Sequence, residues 1–467
     1  MTDERLDLDS GQTAPAATGW AALLHRDLLP AVLVLSGGVA LYAMNLYFTA
    51  ALMPSVVASI GGAEYFAWAA TGYLVVAVVA TMLVGRTLDR FGARRSYLAG
   101  FVLFGLGTVA SAASPSMVVF VAGRGLQGAG AGLLIGLGYA VIRTTLPAHT
   151  WTQASSLVSA MFALGALVGP ALGGIFAELD LWRASYVVLA VVSALLALIA
   201  TRALPAHTAS PRRGDPLPLR SFVALTLAAA LLSISSTTEG VRAVVLVVAG
   251  LATLVAFLVI DARATHSVLP RITYLAGGRL KWVYLTVAAL SAGVMVENFV
   301  PLFGQQLAGM TPVWAGFLGA VMSIGWSAAQ VFSAGAGPAT ARRLVLFSPW
   351  LVAAGLAGYG LLQTAGAGAG SIALWAGFLL LAGIGVGIAF PHLTVAAMSS
   401  TPDSGEGARA AAAVSTTQLI AYTLTSAVAG NLLALGSEAV DAARWVILGL
   451  AVLVAVGVVG SRRALPR

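Results

Sequence analysis

Long apolar runs separated by short polar stretches make up most of the chain. A helix needs about 20 apolar residues to cross the hydrocarbon core of a bilayer. Runs of that kind occur as a group of six, then two, then six. They lie near 29–54, 66–85, 96–113, 117–141, 153–177 and 183–203, then 221–236 and 242–261, then 282–303, 313–336, 344–364, 371–395, 408–435 and 444–461. The pattern predicts an all-α membrane protein with fourteen transmembrane helices.

The basic residues predict the orientation of these helices, because short loops rich in Lys and Arg stay on the cytoplasmic side. With fourteen spans and a cytoplasmic N-terminus, all but four of the 25 Lys and Arg fall on that side. The exceptions are Arg124, Arg183, Arg242 and Arg444. The run 221–236 is the shortest, but removing it alone would turn the last six spans over and place the basic pair 342–343 outside. The segment between the two groups of six must therefore contain an even number of spans, and the alternative to fourteen is twelve. We therefore expect both termini in the cytoplasm and a multi-pass protein of a cell inner membrane or plasma membrane.

The grouping of the runs also predicts the domain organisation. The expected segments are a cytoplasmic tail over 1–27, a six-helix bundle over 28–204, a linker with two extra helices over 205–281, a second six-helix bundle over 282–461, and a short tail over 462–467. Two bundles joined by a linker imply pseudo-symmetric halves with a substrate path between them.

Composition excludes several other classes of protein. The 467 residues are 59% hydrophobic and only 9% charged, whereas soluble domains carry about 25% charged residues. Cysteine is absent, which excludes disulfides, thiolate metal sites and a cysteine nucleophile. The net charge of +8 is explained by arginines in cytoplasmic loops rather than by nucleic-acid binding. The sequence holds no phosphate-binding Gly-Lys-Ser/Thr loop and no metal-ligand cluster, so we expect neither a cofactor nor ATP-driven chemistry, and no enzyme.

The polar stretch between the second and third runs carries four arginines in twelve residues, over 84–95. A bilayer excludes such a cluster, which predicts a tight polar turn at the membrane face. Glycine at 85 and 92 permits close helix approach and a sharp turn. The spacing G-x-x-x-D-R-x-G-x-R-R resembles the loop between spans 2 and 3 of the major facilitator superfamily of transporters. The resemblance implies that this loop latches the two halves in the outward-open state, through Gly85, Asp89, Arg90, Gly92 and Arg94.

A second polar group lies inside the fourth run. A charge at Arg124 is expensive in a membrane and rarely without a function, and Gln127 lies three residues later on the same helical face. The segment 124–132 resembles the R-x-x-Q-G-x-G-A motif of proton-coupled drug exporters, in which the arginine is linked to proton transfer. The alternative is a buried arginine that pairs with backbone carbonyls and contributes only stability.

The fifth run contains glycines at four-residue spacing and a proline. They are Gly165, Gly169, Pro170, Gly173 and Gly174. Such glycines let two helix backbones touch, and proline favours a kink. Small-residue packing alone would explain the glycines. The pattern G-x-x-x-G-P-x-x-G-G, however, resembles the antiporter motif that distinguishes exporters from uptake carriers in this superfamily.

Glu297 is the one acid well inside a predicted span. A carboxyl group in low-dielectric surroundings can bind and release a proton near neutral pH. We therefore expect Glu297 to carry the coupled proton, with Arg124 and Gln127 assisting. The alternative is a structural glutamate that hydrogen-bonds between helices or contacts water near the outer interface.

Several polar and aromatic residues of the spans are candidates for substrate binding. The segment 45–54 resembles a span-1 stretch of fourteen-span drug:proton antiporters, in which an acid often stands where this chain has Asn45. Asparagine cannot titrate, so more of the proton coupling would depend on Glu297. The expected substrate-binding residues are Asn45, Tyr47, Trp68, Trp326, Gln330 and His392. For each of them the alternative is packing or hydrogen bonding between helices.

The resemblance covers nearly the whole chain and implies a member of the major facilitator superfamily, of the fourteen-span drug:proton antiporter branch. The implied function is proton-coupled export of an amphipathic drug or other small molecule by alternating access. The implied partners are a small-molecule substrate, protons and lipid; we expect no nucleic acid and a monomer. The alternatives are an exporter of an endogenous metabolite, lipid or siderophore on the same fold, and a non-transporting membrane scaffold or sensor.

Overall fold

The computed structural model describes residue 23 and residues 25–147, 151–204, 218–265, 267–275, 277–333, 336–401 and 404–465. The regular structure of these residues is helical. The long helices are α1 (Leu29–Ile60), α2 (Phe66–Met82), α3 (Val84–Ala112), α4 (Met117–Ala140), α5 (Trp151–Glu178), α6 (Trp182–Ala203), α7 (Leu219–Ser235), α8 (Gly240–Arg263), α9 (Leu280–Val294), α10 (Val300–Ala308), α11 (Pro312–Ser333), α12 (Pro338–Leu361), α13 (Ala369–Met398), α14 (Ser404–Ala434) and α15 (Ala439–Ala464). Most of the predicted tail 1–27 and of the linker before α7 lies outside the described residues.

The prediction of an all-helical membrane protein is confirmed. Eleven segments of the described chain are helical, long and apolar enough to cross a membrane. They do not include α3, α14 or the 17-residue α7. The count of fourteen spans therefore stays a prediction.

A predicted turn and a predicted span differ locally from expectation. The stretch 84–95 is helical rather than a tight turn, and the backbone breaks only at Gly92, where φ is +74°. A left-handed φ of this kind favours glycine because a Cβ would clash. The run 282–303 is also interrupted: α9 ends at Val294, a 3-10 turn covers Met295–Asn298, and α10 begins at Val300. Pro301 lacks the N–H group that would bond to the carbonyl of Glu297 in a continuous helix, which explains the break.

The first six helices pack mainly on one another, as do α9 to α15. The extensive pairs are α1 with α5, α3 with α4 and α2 with α4 in the first group, and α11 with α13, α12 with α13 and α9 with α15 in the second. Successive long helices run in opposite directions, so that α3, α9 and α12 begin at the same end of the molecule. Most of the arginines lie at this end. We call this the basic end.

The two groups meet away from the basic end. The main contacts are α5 with α11 and α2 with α14. Thr71 donates a hydrogen bond of 3.0 Å to Ser426, and the rings of Phe66 and Phe299 lie 5.8 Å apart. Glu178, at the last residue of α5, accepts a 3.3 Å hydrogen bond from the backbone N–H of Val313 at the start of α11. The described contacts between the groups thus close the end opposite the basic end.

The extra helices α7 and α8 pack on each other, and α7 also packs on α14. Asn431 makes this second contact: its Nδ2 donates to the carbonyl of Leu232 at 2.7 Å, and its Oδ1 accepts from Ser235 at 2.7 Å. In the last turn of α8, the buried carboxylate of Asp261 accepts hydrogen bonds from groups of the segment that follows. The donors are the N–H groups of Val268 and Leu269 and the hydroxyl of Tyr274. Burial and this carboxylate raise the pKa of Tyr274. The turn after α8 is therefore fixed to the helix end.

Candidate functional site

Arg124 lies in the interior of the first helix group with only 1% of its surface exposed. Glycines bring its helix into direct backbone contact with two neighbours, because a Cβ at Gly128 would collide with Tyr73 and one at Gly130 would collide with Phe104. The predicted close packing of α4 is therefore present. It leaves the arginine side chain enclosed between α1, α2 and α4.

The guanidinium of Arg124 contacts neutral groups within the described chain. Its Nε donates to the carbonyl of Ala69 at 3.2 Å, and its Nη1 donates to Oε1 of Gln127 at 2.5 Å. Its Cζ lies 4.2 Å from the centre of the Tyr73 ring, which is a cation–π contact. Arg124 thus bonds to a backbone carbonyl, as the structural alternative expects, and to Gln127 on the same helix face; its role in proton transfer stays a prediction.

Gln127 extends the hydrogen bonding of Arg124 to two further helices. Its Nε2 donates to Oδ1 of Asn45 at 3.1 Å and to the hydroxyl of Thr108 at 2.8 Å. The Asn45 oxygen also accepts a 3.4 Å hydrogen bond from Thr49. We refer to Arg124, Gln127, Asn45, Thr108 and Thr49 as the Arg124 cluster. This placement favours the helix–helix alternative for Asn45, which is fully buried.

Glu297 lies in the 3-10 turn between α9 and α10 and is 4% exposed. The hydroxyl of Ser323, on α11, donates to its Oε1 at 2.6 Å. The same Ser323 oxygen lies 2.9 Å from the hydroxyl of Tyr47 on α1. We call Tyr47, Ser323 and Glu297 the Glu297 bridge. It joins the second helix group to the first and passes through Ser323, a residue that the sequence did not single out.

A small cavity lies close to both polar groups. It has a volume of about 20 Å³ and is lined by Arg124 and Thr49 from one helix group and by Asn298 and Ser426 from the other. A cavity of this size with several polar neighbours has room for one water molecule. Arg124 and Thr49 of the Arg124 cluster and Asn298, the residue next to Glu297, therefore face the same small cavity, whose other lining residues are mostly apolar.

The predicted antiporter motif contacts two different helices. A Cβ added at Gly165, Gly169 or Gly173 would come within 3 Å of α1 atoms, the nearest oxygen at Gly173 being the Phe48 carbonyl at 2.8 Å. A Cβ at Gly174 would instead lie 2.8 Å from the backbone nitrogen of Val313 on α11. The carbonyl of Pro170 on α5 faces Gly316, which also lies on α11. The motif thus packs one face of α5 against α1 of its own group and another face against α11 of the other group.

The residues of the predicted latch lie at the basic end, away from the contacts between the helix groups. Asp89 and Arg90 are exposed, and the Arg90 guanidinium lies 5.3 Å from the Phe91 ring. Arg94 is half-buried. A Cβ added at Gly85 would meet open space, so the close helix approach expected there is not made in this conformer.

The remaining substrate-binding candidates lie on α2, α11 and α13. Trp326 and Gln330 are half-buried on α11, and the Trp326 ring lies 5.2 Å from that of Phe390. His392 is buried on α13. Trp68 is half-buried on α2. Nε1 of Trp326, Nε1 of Trp68 and Nε2 of His392 are buried and have no hydrogen-bond partner within the described chain, so a polar ligand atom would reach them only in a conformer that exposes them.

Several site residues carried no signal in the sequence. Ser323, Thr49 and Thr108 are single hydroxyl residues in apolar runs, and such residues are common in membrane helices. The contact of Glu178 with α11 depends on how two distant helices meet. Among the described residues, no group of three or more His, Cys, Asp or Glu is placed to bind a metal.

Comparison with known proteins gives consistent results at the levels of family, sequence and fold. The family model described as Major Facilitator Superfamily matches residues 35–426. A protein of Mycobacterium tuberculosis named "Probable multidrug-efflux transporter" is 44% identical over 466 residues, which cover 98% of each chain. "Multidrug resistance protein 3" of Bacillus subtilis is 25% identical over 380 residues, covering 79% of this chain and 72% of that one.

Solved structures share the fold at low sequence identity. A D-xylose–proton symporter is similar with a TM-score of 0.64 and 16% identity, covering 94% of this chain and 98% of that one. A transporter of the POT family, in complex with 5-aminolevulinic acid, has a TM-score of 0.65 and 14% identity, covering 92% and 94%. At such identities the likeness concerns the fold alone.

Proposed function

The chain belongs to the major facilitator superfamily, and from that premise we propose that it exports amphipathic small molecules in exchange for protons by alternating access. The family and the relatives make the protein a multi-pass membrane transporter of small molecules and not an enzyme. The export direction and the drug-like substrate class rest on the multidrug-efflux names of the relatives, together with the antiporter motif of α5.

The observation that carries proton coupling is the Glu297 bridge. A carboxyl group buried inside a membrane protein marks a proton or ion path in many transporters. Glu297 is 4% exposed, and its hydrogen bonds continue through Ser323 to Tyr47 on the opposite helix group. A change of protonation at this carboxyl therefore acts on a contact between the two halves, which is what coupling of proton binding to reorientation needs.

Alternating access is supported by the uneven distribution of contacts between the halves. The described contacts join α5 to α11 and α2 to α14 near the end opposite the basic end. We infer that this conformer opens towards the basic end, which we take as cytoplasmic because of its arginines. The latch residues around Asp89 would then engage in the alternative conformer, and the packing of Gly174 on α11 would be broken there.

The remaining parts of the proposal concern setting and specificity. We place the protein in a cell inner or plasma membrane with both termini in the cytoplasm, as a monomer. Trp326, Gln330, Trp68 and His392 are the proposed substrate contacts. Gln330 is half-buried, and each of the other three has a buried ring nitrogen without a described hydrogen-bond partner, which a ligand would use in a conformer that exposes it. Arg124, which lines the cavity together with Asn298, is proposed to support the proton site, and Gln127 is proposed to assist through its hydrogen bond with Arg124.

Proteoliposomes with an imposed pH gradient test the proposal. We expect gradient-driven efflux of lipophilic cations by the native protein and its loss in Glu297→Gln, because the amide is close in size to the carboxyl group but cannot exchange the proton. The matched control is Glu64→Gln, which makes the same change in an exposed residue between α1 and α2 and should leave efflux unchanged.

Two results would contradict the proposal in different ways. Equal gradient-driven efflux by Glu297→Gln and the native protein would remove Glu297 from the coupling. If the folded native protein transports none of the lipophilic cations tested, export of an endogenous metabolite, lipid or siderophore would be favoured instead.

A further inference from the structure

The Glu297 bridge is a continuous hydrogen-bonded path between the two halves of the transporter. Tyr47 belongs to α1, Ser323 to α11, and Glu297 to the turn that follows α9. Ser323 is the central member, 2.9 Å from the Tyr47 hydroxyl and 2.6 Å from Glu297 Oε1. All three side chains are buried. Removing the Ser323 hydroxyl would therefore interrupt the path without removing either end.

The direction of the hydrogen bonds in this path depends on the proton of Glu297. A serine hydroxyl has one proton to donate. When Glu297 is ionised, Ser323 donates to the carboxylate and accepts from Tyr47. When Glu297 is protonated, it can donate to Ser323, which then donates to the Tyr47 oxygen. Hydrogen bonds to an ionised carboxylate are roughly twice as strong as neutral ones, and the Ser323–Glu297 bond within the second group is of this kind when Glu297 is ionised. Hydrogen bonds in a chain polarise one another, so this bond makes the Ser323 oxygen a better acceptor for the Tyr47 hydroxyl of the other half. The contact between the halves is therefore stronger when Glu297 is ionised.

The surroundings of the path contain few other groups that change charge. From α14, Tyr422 interacts electrostatically with Glu297, and its hydroxyl accepts a 2.7 Å hydrogen bond from Gln418. From α4, Arg124 reaches the cavity shared with Asn298. The charged described residues of α9 and α15 lie at the helix ends, as Lys281, Asp441, Arg444, Arg462 and Arg463. The described parts of α10 and α11 carry no charged residue.

We propose that Ser323 is a positioning residue that makes the closed contact between the halves depend on ionised Glu297. This inference rests on the proposed proton coupling at Glu297. An exchanger must prevent reorientation of the empty, deprotonated carrier, because that step would let substrate and proton move independently. The bridge stabilises the carrier in this state, and protonation of Glu297 weakens it. A ligand shifts such an equilibrium only by its different affinity for the two conformers, and here the ligand is the proton.

The first test measures the conformer directly. The chain has no cysteine, so single spin labels can be introduced at Leu179 and Trp314, which are exposed at the facing ends of α5 and α11. In the native protein at alkaline pH we expect the short inter-label distance to predominate, and acidification to populate a longer one. In Ser323→Ala this pH dependence should be lost. Ser323→Thr keeps the hydroxyl and should largely retain it.

The second test separates coupling from transport. In Ser323→Ala we expect the steady substrate gradient supported by an imposed pH gradient to fall about tenfold, equivalent to about 1.4 kcal/mol. Downhill substrate movement without a pH gradient should persist. Ser291→Ala is the control: it removes another fully buried hydroxyl, on α9, that has no partner within the described chain. It should change neither measurement.

The other possible results reject either the role of Ser323 alone or the proposed function as well. Retained pH-dependent distances and full coupling in Ser323→Ala would overturn the role of Ser323, while loss of gradient-driven efflux in Glu297→Gln would leave the proposed function standing. Full coupling in both variants would overturn both. If Ser323→Ala does not fold, Tyr47→Phe removes only the other hydroxyl of the path, and unchanged pH dependence in that variant would equally reject the inference.

Discussion

Arg124 shows at the scale of one residue how a membrane protein holds a cation without a described carboxylate beside it. Its partners are the Ala69 carbonyl, Gln127 and the Tyr73 ring. A planar guanidinium can donate in two directions and stack at the same time, whereas a lysine ammonium is a compact point charge. The geometry therefore requires arginine and not only a positive charge.

Replacing Arg124 by lysine tests that requirement. We expect gradient-driven transport to fall at least about tenfold, because a buried acceptor left unpaired costs about 1–3 kcal/mol and because the contact with Tyr73 is lost. Arg183→Lys is the control, since Arg183 also lies over an aromatic ring, at 4.1 Å from Trp182, but outside the buried cluster. Equal transport by the two lysine variants, in proteoliposomes with matched protein content, would show that charge alone suffices at 124.

The sequence identifies charged residues in spans more readily than their neutral partners. Arg124 and Glu297 stand out because charge is rare in an apolar run, and the spacing of Gln127 placed it beside Arg124. Ser323 could not be found in this way, because its partner Tyr47 is 276 positions away and hydroxyl residues are frequent in membrane helices. For Asn45 the sequence leaves substrate binding and helix–helix hydrogen bonding open, because its contact with Gln127 depends on the packing of α1 on α4.

At the scale of helices, Gly173 and Gly174 are neighbours in sequence that contact different partners. Gly173→Ala pushes α5 away from Phe48 within one half, and Gly174→Ala pushes it away from Val313 in the other half. Overpacking of this kind costs about 1–3 kcal/mol. We expect Gly173→Ala to lower the thermal unfolding midpoint, and Gly174→Ala chiefly to lengthen the distance between spin labels at Leu179 and Trp314. Identical effects of both variants on stability and distance would contradict this assignment.

Helix positions follow well from the apolar runs, while helix interruptions do not. The predicted span at 282–303 is broken because Pro301 removes one backbone donor opposite Glu297. A proline near the end of a run is compatible with several local structures, and neighbouring helices decide among them. The cluster of charged residues at 84–95 predicts a turn at the membrane face. The stretch remains helical up to Gly92, since arginines are good helix formers.

At the scale of the whole molecule, the orientation of the fourteen predicted spans is open to direct measurement. Single cysteines at Glu239, Thr340 and Thr364 report on three exposed positions. We expect an impermeant maleimide applied to intact cells to label the sites at 239 and 364, and the site at 340 only after permeabilisation. If neither α7 nor α8 crosses the membrane, the site at 239 will be labelled only after permeabilisation, while the sites at 340 and 364 will keep their behaviour.

The apolar runs of the sequence predict two helix groups, but no pattern in the sequence predicts the conformer. The same apolar faces of α5 and α11 serve every state of a rocking transporter, so hydrophobic pattern does not distinguish one state from another. The closed end is defined by contacts such as those of Gly174 with Val313 and of Thr71 with Ser426. These contacts depend on how the two helix groups pack on each other, and the spacing of residues within one helix does not predict that packing.

The unequal lengths of α7 and α8 have a consequence for the surrounding lipid. The 24 residues of α8 extend about 36 Å and the 17 of α7 about 26 Å at 1.5 Å per residue, against a hydrocarbon core of about 30 Å. The two helices pack on each other and α8 exposes a row of valines. Acyl chains beside this pair must therefore stretch along one helix and compress along the other unless the long helix tilts. Because α7 is bonded to α14, a change in bilayer thickness would exert a force on a helix that closes the transporter.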